Sequence, residues 1–175
     1  LLEYYFSDKD IYYQDLSTNA ENISLEIVKY LLDKKLIDDP AVVEMNKKYS
    51  SNFDYNIILS FLEYRRSEIL EYFYKSKKLT DNFYISGIST ILNSAIDIND
   101  LNCVKILFQY LPQYVKNLNY QDEINPFTLG KNASYNVYKF IVGNIKNIDP
   151  LWKNELIDGI KESLIDQKEK NSFRI

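Results

Sequence analysis

A helix-like apolar phrase is written four times along this chain. It stands as "SLEIVKYLLDKK" from Ser24, "RSEILEYFYKSKK" from Arg66, "DLNCVKILFQYL" from Asp100 and "SYNVYKFIVGN" from Ser134. Aligned on Leu25, Ser67, Leu101 and Tyr135, the copies are offset by 42, 34 and 34 residues. A period in the thirties is the mark of stacked supersecondary units, each unable to bury its own apolar face.

The columns agree in chemistry. Ile27, Ile69, Cys103 and Val137 share one position, and Val28, Leu70, Val104 and Tyr138 the next. Leu31, Phe73, Leu107 and Ile141 share another, followed by Leu32, Tyr74, Phe108 and Val142. Spacing at i, i+1, i+4 and i+5 puts all of them on one helical face. Lys29, Glu71, Lys105 and Lys139 fill a charged column expected to face water. Ser24, Asp100 and Ser134 stand where an oxygen can accept a first-turn amide hydrogen bond; Arg66 occupies that column in the second copy, so Ser67 is expected to cap there.

A shorter apolar segment precedes each phrase, at 12–20, 55–64, 87–96 and 125–133, with Leu16, Leu59, Leu92 and Phe127 near the starts. Each unit therefore reads as helix, tight turn, helix. The expected organisation is one repeat domain over 1–175, with units at 10–36, 53–78, 85–111 and 122–145. An insertion at 37–52 accounts for the long first offset, and Pro40 can open a short helix there. Only four glycines among 175 residues argue against a turn-rich β fold and for an all-α one.

The pairing of an inner segment such as "STILNSAI" (89–96) or "NPFTLGK" (125–131) with an outer helix such as "LEIVKYLL" (25–32) resembles the ankyrin repeat. The likeness spans roughly residues 10 to 145. Its style is that of the divergent arrays of large DNA viruses, protists and intracellular bacteria. The resemblance implies an ankyrin-like α-solenoid of about four helix-turn-helix repeats, whose finger-lined concave face holds a protein partner. Two family features are absent. The chain has no histidine for the inner motif, and Ile23, Arg65, Asn99 and Ala133 replace the glycine between paired helices. Of these, Asn99 best tolerates a left-handed backbone.

The segment 149–170 departs from the repeat. Asp149-Pro150 is a cap followed by proline at the first helical position. Leu151, Trp152, Leu156, Ile160, Leu164 and Ile165 then fall on one side, so this stretch is expected to be a C-terminal capping helix, bent or interrupted at Gly159.

Catalytic inventory is thin. Without histidine and with Cys103 alone, no Ser-His-Asp triad, Cys-His pair, HExxH or CxxC site can be assembled, and no phosphate-binding glycine loop is present. Cys103 fills an apolar column and is expected to be core. Asp38-Asp39, Asp97/Asp100 and Asp122-Glu123 fall at turns and caps, where solvated acids are ordinary. The chain is thus expected to be non-enzymatic, with no cofactor, metal or small-molecule substrate.

Surfaces remain. Tyr12, Tyr13, Phe53, Tyr55, Phe83, Tyr84 and Tyr120 recur just ahead of the inner segments, where aromatic side chains give large contact area at low entropy cost. They can equally pack between neighbouring units. Arg65 and Arg66, at an interhelical turn, can anchor an acidic partner. These residues form the expected partner-binding set of a non-catalytic scaffold. A second reading makes the chain a targeting or adaptor module of a larger enzyme or ubiquitin-ligase complex. A nucleic-acid-binding solenoid ranks last, because the net charge is −4. No apolar run is long enough to cross a bilayer. A monomer is expected, in an intracellular setting, with cytoplasm, including that of a host cell, as the candidate.

Overall fold

Helix starts follow the cap column. In the computed structural model, which describes residues 19–33, 53–76 and 87–172, the first phrase is α1 (Leu25–Asp33). Ser24 Oγ accepts from the Ile27 amide at 3.3 Å. The remaining elements are α2 (Phe53–Glu63), α3 (Ser67–Ser76), α4 (Ile88–Ile98), α5 (Leu101–Tyr110), a 3-10 turn (Leu111–Gln113), α6 (Tyr120–Glu123), α7 (Pro126–Asn132), α8 (Tyr135–Asn144) and α9 (Pro150–Ser172). No strand occurs among the described residues, so the fold is all-α. The expected helix at Pro40 lies outside them.

Two caps differ from expectation. Ser67 lies inside α3; the carbonyl of Arg66 accepts the first intrahelical bond, from Leu70 at 3.0 Å, so Arg66 itself holds the cap position. Ser134 stands at the start of α8 but its side chain makes no capping bond. Asp100 behaves as its column predicts, accepting from Asn102 at 2.8 Å and Cys103 at 3.2 Å. Asp149 likewise accepts from Leu151 at 2.8 Å and Trp152 at 3.3 Å.

The chain divides into two compact units, Leu1–Gly87 and Ile88–Ile175. In the first, α2 and α3 form a helical hairpin and α1 packs on α3. Val28, Leu31, Ile58, Phe61, Leu70 and Phe73 are buried there, with the Phe61 and Phe73 rings 5.5 Å apart. In the second, α4 and α5 pair, α7 packs on α4, and α8 packs on α5. Ile91, Leu92, Cys103, Leu107, Leu129, Val137 and Ile141 are buried. Each large side chain hidden in this way contributes about 2 kcal/mol, far more than local helix propensity. The seven-residue α7 depends on it, since a helix so short is unstable alone.

Among the described residues, α9 packs along α7 more extensively than any other pair of elements does. The expected interruption at Gly159 does not occur; the helix runs through it unbroken. Gly159 is used instead for close approach. A Cβ there would be driven into the Phe127 carbonyl, and a Cβ at Gly130 into that of Leu156. The apolar side of α9 is only partly covered. Trp152 and Leu156 are buried, whereas Leu151 is 73% exposed and Leu164 and Ile165 are about half exposed.

Candidate partner-binding surface

The interhelical turns carry the side chains expected to meet a partner. Arg65, at φ 54°, adopts the left-handed backbone that the sequence favours for Asn99, which has it too at φ 62°. The two residues share a column, so the turn geometry repeats although its residue does not. Ala133, fourth in that column, keeps an extended backbone.

Arg66 is committed inward. Its guanidinium donates to the carbonyls of Ala20 and Glu21, both at 3.0 Å, and of Ile23 at 2.7 Å; Nε also pairs with Glu68 at 2.7 Å. With only 19% of its side chain exposed, it clamps the turn that precedes α1 instead of offering its charge to a partner. Arg65 is exposed at the same turn.

Asn99 makes the corresponding link in the second unit. Its Nδ2 donates to the Asn132 carbonyl at 2.6 Å, and its Oδ1 accepts from the Ser134 amide at 2.6 Å. Asn132 in turn donates to Asp97 at 2.7 Å. A second set of bonds ties the connections to the helix before them. Asn93 donates to the Glu123 carbonyl at 2.9 Å and accepts from the Asn125 amide at 2.9 Å, while Ser89 donates to the Glu123 carboxylate. Gln121 repeats the device one connection later, reaching Asn147 at 3.2 Å and Asp149 at 2.7 Å.

Tyr120 heads α6, in the connection ahead of α7. Its ring stacks on Phe108 with centroids 4.0 Å apart, and its hydroxyl donates to the Phe108 carbonyl at 3.2 Å. Burial pushes that hydroxyl up to about 12 from 10.0, because the phenolate would lose its water. Of the two readings open for this aromatic, packing between units describes its surroundings. Tyr12, Tyr13, Phe83 and Tyr84 lie outside the described residues. Phe53 and Tyr55 sit in the first turn of α2.

Asp38 and Asp39 lie outside the described residues; the other acids singled out from the sequence serve local structure. Asp100 caps α5, Asp97 and Glu123 accept the bonds above, and Asp122 accepts from Asn119 at 3.0 Å. No group of three or more His, Cys, Asp or Glu that could hold a metal ion is found among the described residues. Among the same residues no helix is long and apolar enough to cross a membrane. Sequence reasoning missed an open groove of about 260 Å³ between α8 and α9, lined by Tyr135, Tyr138, Ile160, Ser163 and Leu164. The signal was in the columns: Tyr138 holds the place of the buried Val28, Leu70 and Val104 yet is only half-buried. No family model, curated protein or solved structure matches the chain.

Proposed function

We propose that the chain is an ankyrin-like array of helix pairs that serves as a non-catalytic scaffold for a protein partner. The observation that carries this reading is the spacing of the polar links. Asn93–Asn125, Asn99–Asn132 and Asn99–Ser134 span 32, 33 and 35 residues, close to the offset of 34 between successive phrases. Arg66–Ile23 spans 43, close to the first offset of 42. Side chains thus reach the equivalent place one repeat away, as stacked units require. Packing of α7 on α4 and of α8 on α5 supports the same order.

Such an array is built around shared walls, so its assets are long edges and not an enclosed pocket. The described acids spent on caps and turns also favour binding over catalysis. The partner edge is assigned to the inter-unit aromatics Tyr13, Tyr55 and Tyr84 together with Arg65, which stays exposed when Arg66 is consumed. Replacing Tyr13, Tyr55 and Tyr84 by serine is the test. Affinity capture should recover a defined protein with the wild-type chain and lose it with the triple variant, at equal helicity by circular dichroism. Undiminished capture would refute the assigned edge.

A further inference from the structure

α9 is continuous from Pro150 to Ser172, yet its anchors all lie in the first half. Asp149 caps it, Trp152, Leu156 and Gly159 are buried, and the Trp152 indole donates to the Ile124 carbonyl at 3.3 Å. From 160 to 167 no side chain is buried, and Leu164 and Ile165 are about half exposed. On the α8 side this stretch borders the open groove through Ile160, Ser163 and Leu164, so no packed wall holds it there.

Among the described residues, the polar ties of this second half to the fold outside α9 are two ion pairs, and both run through one cation. Lys131 Nζ of α7 reaches Glu162 at 3.7 Å and Asp166 at 3.4 Å. The two carboxylates stand four residues apart, so successive turns of α9 present both to the same side. A helix of about a dozen residues is marginal in water unless packing supports it. Glycine is the poorest helix former after proline, so Gly159 is where α9 can end at least cost. Ion pairs between side chains exposed by 33%, 45% and 41%, as these are, hold weakly and are screened by salt.

We propose that Lys131 is a salt-sensitive latch: its pairs with Glu162 and Asp166 keep residues 160–172 helical and docked, and rising ionic strength lets that half fray while 150–159 stays in place. The release uncovers no buried side chain between 160 and 167, so it is local and does not propagate into the core. The latch rests on the contact between α7 and α9 alone. It needs neither the family resemblance nor the assigned partner edge.

Hydrogen exchange of the full chain, read by mass spectrometry on peptides from the two halves of α9, tests the latch. Raising NaCl from about 20 to about 500 mM shortens the screening length several-fold. Exchange in 162–172 should then quicken about threefold, while 152–158 stays unchanged. Trp152, the single tryptophan of the chain, should keep its emission throughout, since it is buried in the anchored half. Lys131→Gln should give fast exchange in 162–172 at both salt concentrations, with Trp152 emission unaltered as the sign that the variant is folded. Lys153→Gln, which removes an exposed charge from the first half, should keep the salt response. A salt response that survives Lys131→Gln overturns the proposal. So does a second half equally protected at both salt concentrations, one already unprotected at low salt, or two halves that quicken together.

Discussion

Gly130 and Gly159 stand against each other's helices, each where a single methyl group would strike a carbonyl of the opposite backbone. This reciprocal contact fixes how closely α9 approaches α7. Alanine is the better helix former at either site by about 1 kcal/mol. Steric cost wins here, because the obstructing atoms are backbone in both directions and cannot rotate away. Gly159→Ala and Gly130→Ala should each lower stability by about 2 kcal/mol net, measured by urea unfolding of the full chain. Stabilisation by either would mean the helices stand further apart.

Arg66 offers a second test. Three carbonyls and one carboxylate converge on a guanidinium whose planar fork can meet them together. Lysine keeps the charge but loses that geometry. Arg66→Lys should therefore cost about 2 kcal/mol, nearly as much as Arg66→Met, again by urea unfolding. Glu68→Ala, which removes only the exposed partner, should cost well under 1 kcal/mol.

Asn99 combines a left-handed backbone with bonds to Asn132 and Ser134. Glycine keeps the first and loses the second, whereas alanine loses both. Asn99→Gly should cost about 1 kcal/mol and Asn99→Ala about 1 kcal/mol more, read as successive drops in denaturation midpoint. Equal losses would mean that the backbone conformation carries no cost.

Much of this was legible in the sequence because helical periodicity is a property of side chains. The i, i+1, i+4, i+5 columns located the outer helices, and Ser24, Asp100 and Asp149 announced their caps. What stayed hidden depends on partners that leave no mark in sequence. Arg66 bonds to main-chain carbonyls, which any residue would supply, so it looked like surface charge. Gly159 looked like a break because its role appears only when α7 is set beside α9. Tyr120 reads equally as partner contact or as packing in the sequence, because its acceptor, the Phe108 carbonyl, is just as anonymous.

The Tyr120 hydroxyl has a consequence for alkaline stability. Its acidity in the folded chain is shifted from 10.0 to about 12 by burial, so the folded state holds this proton longer than the unfolded one. The associated stability is complete below pH 10 and is lost as pH rises from about 10 to about 12. Tyr120→Phe keeps the stack on Phe108 and removes the titration. Stability of the variant should fall less steeply across that window, and its absorbance titration at ~295 nm should lack one late-ionising tyrosine. A wild-type titration with no component later than the ordinary tyrosine range would contradict the burial.

The stacking of successive helix pairs underlies the scaffold reading, and nuclear Overhauser spectroscopy on the full chain tests it most directly. Ring protons of Phe108 should show cross-peaks to those of Phe140 as well as Tyr120, with centroids at 5.4 and 4.0 Å. Cross-peaks to Tyr120 alone, with none from α5 to α8, would contradict the stack.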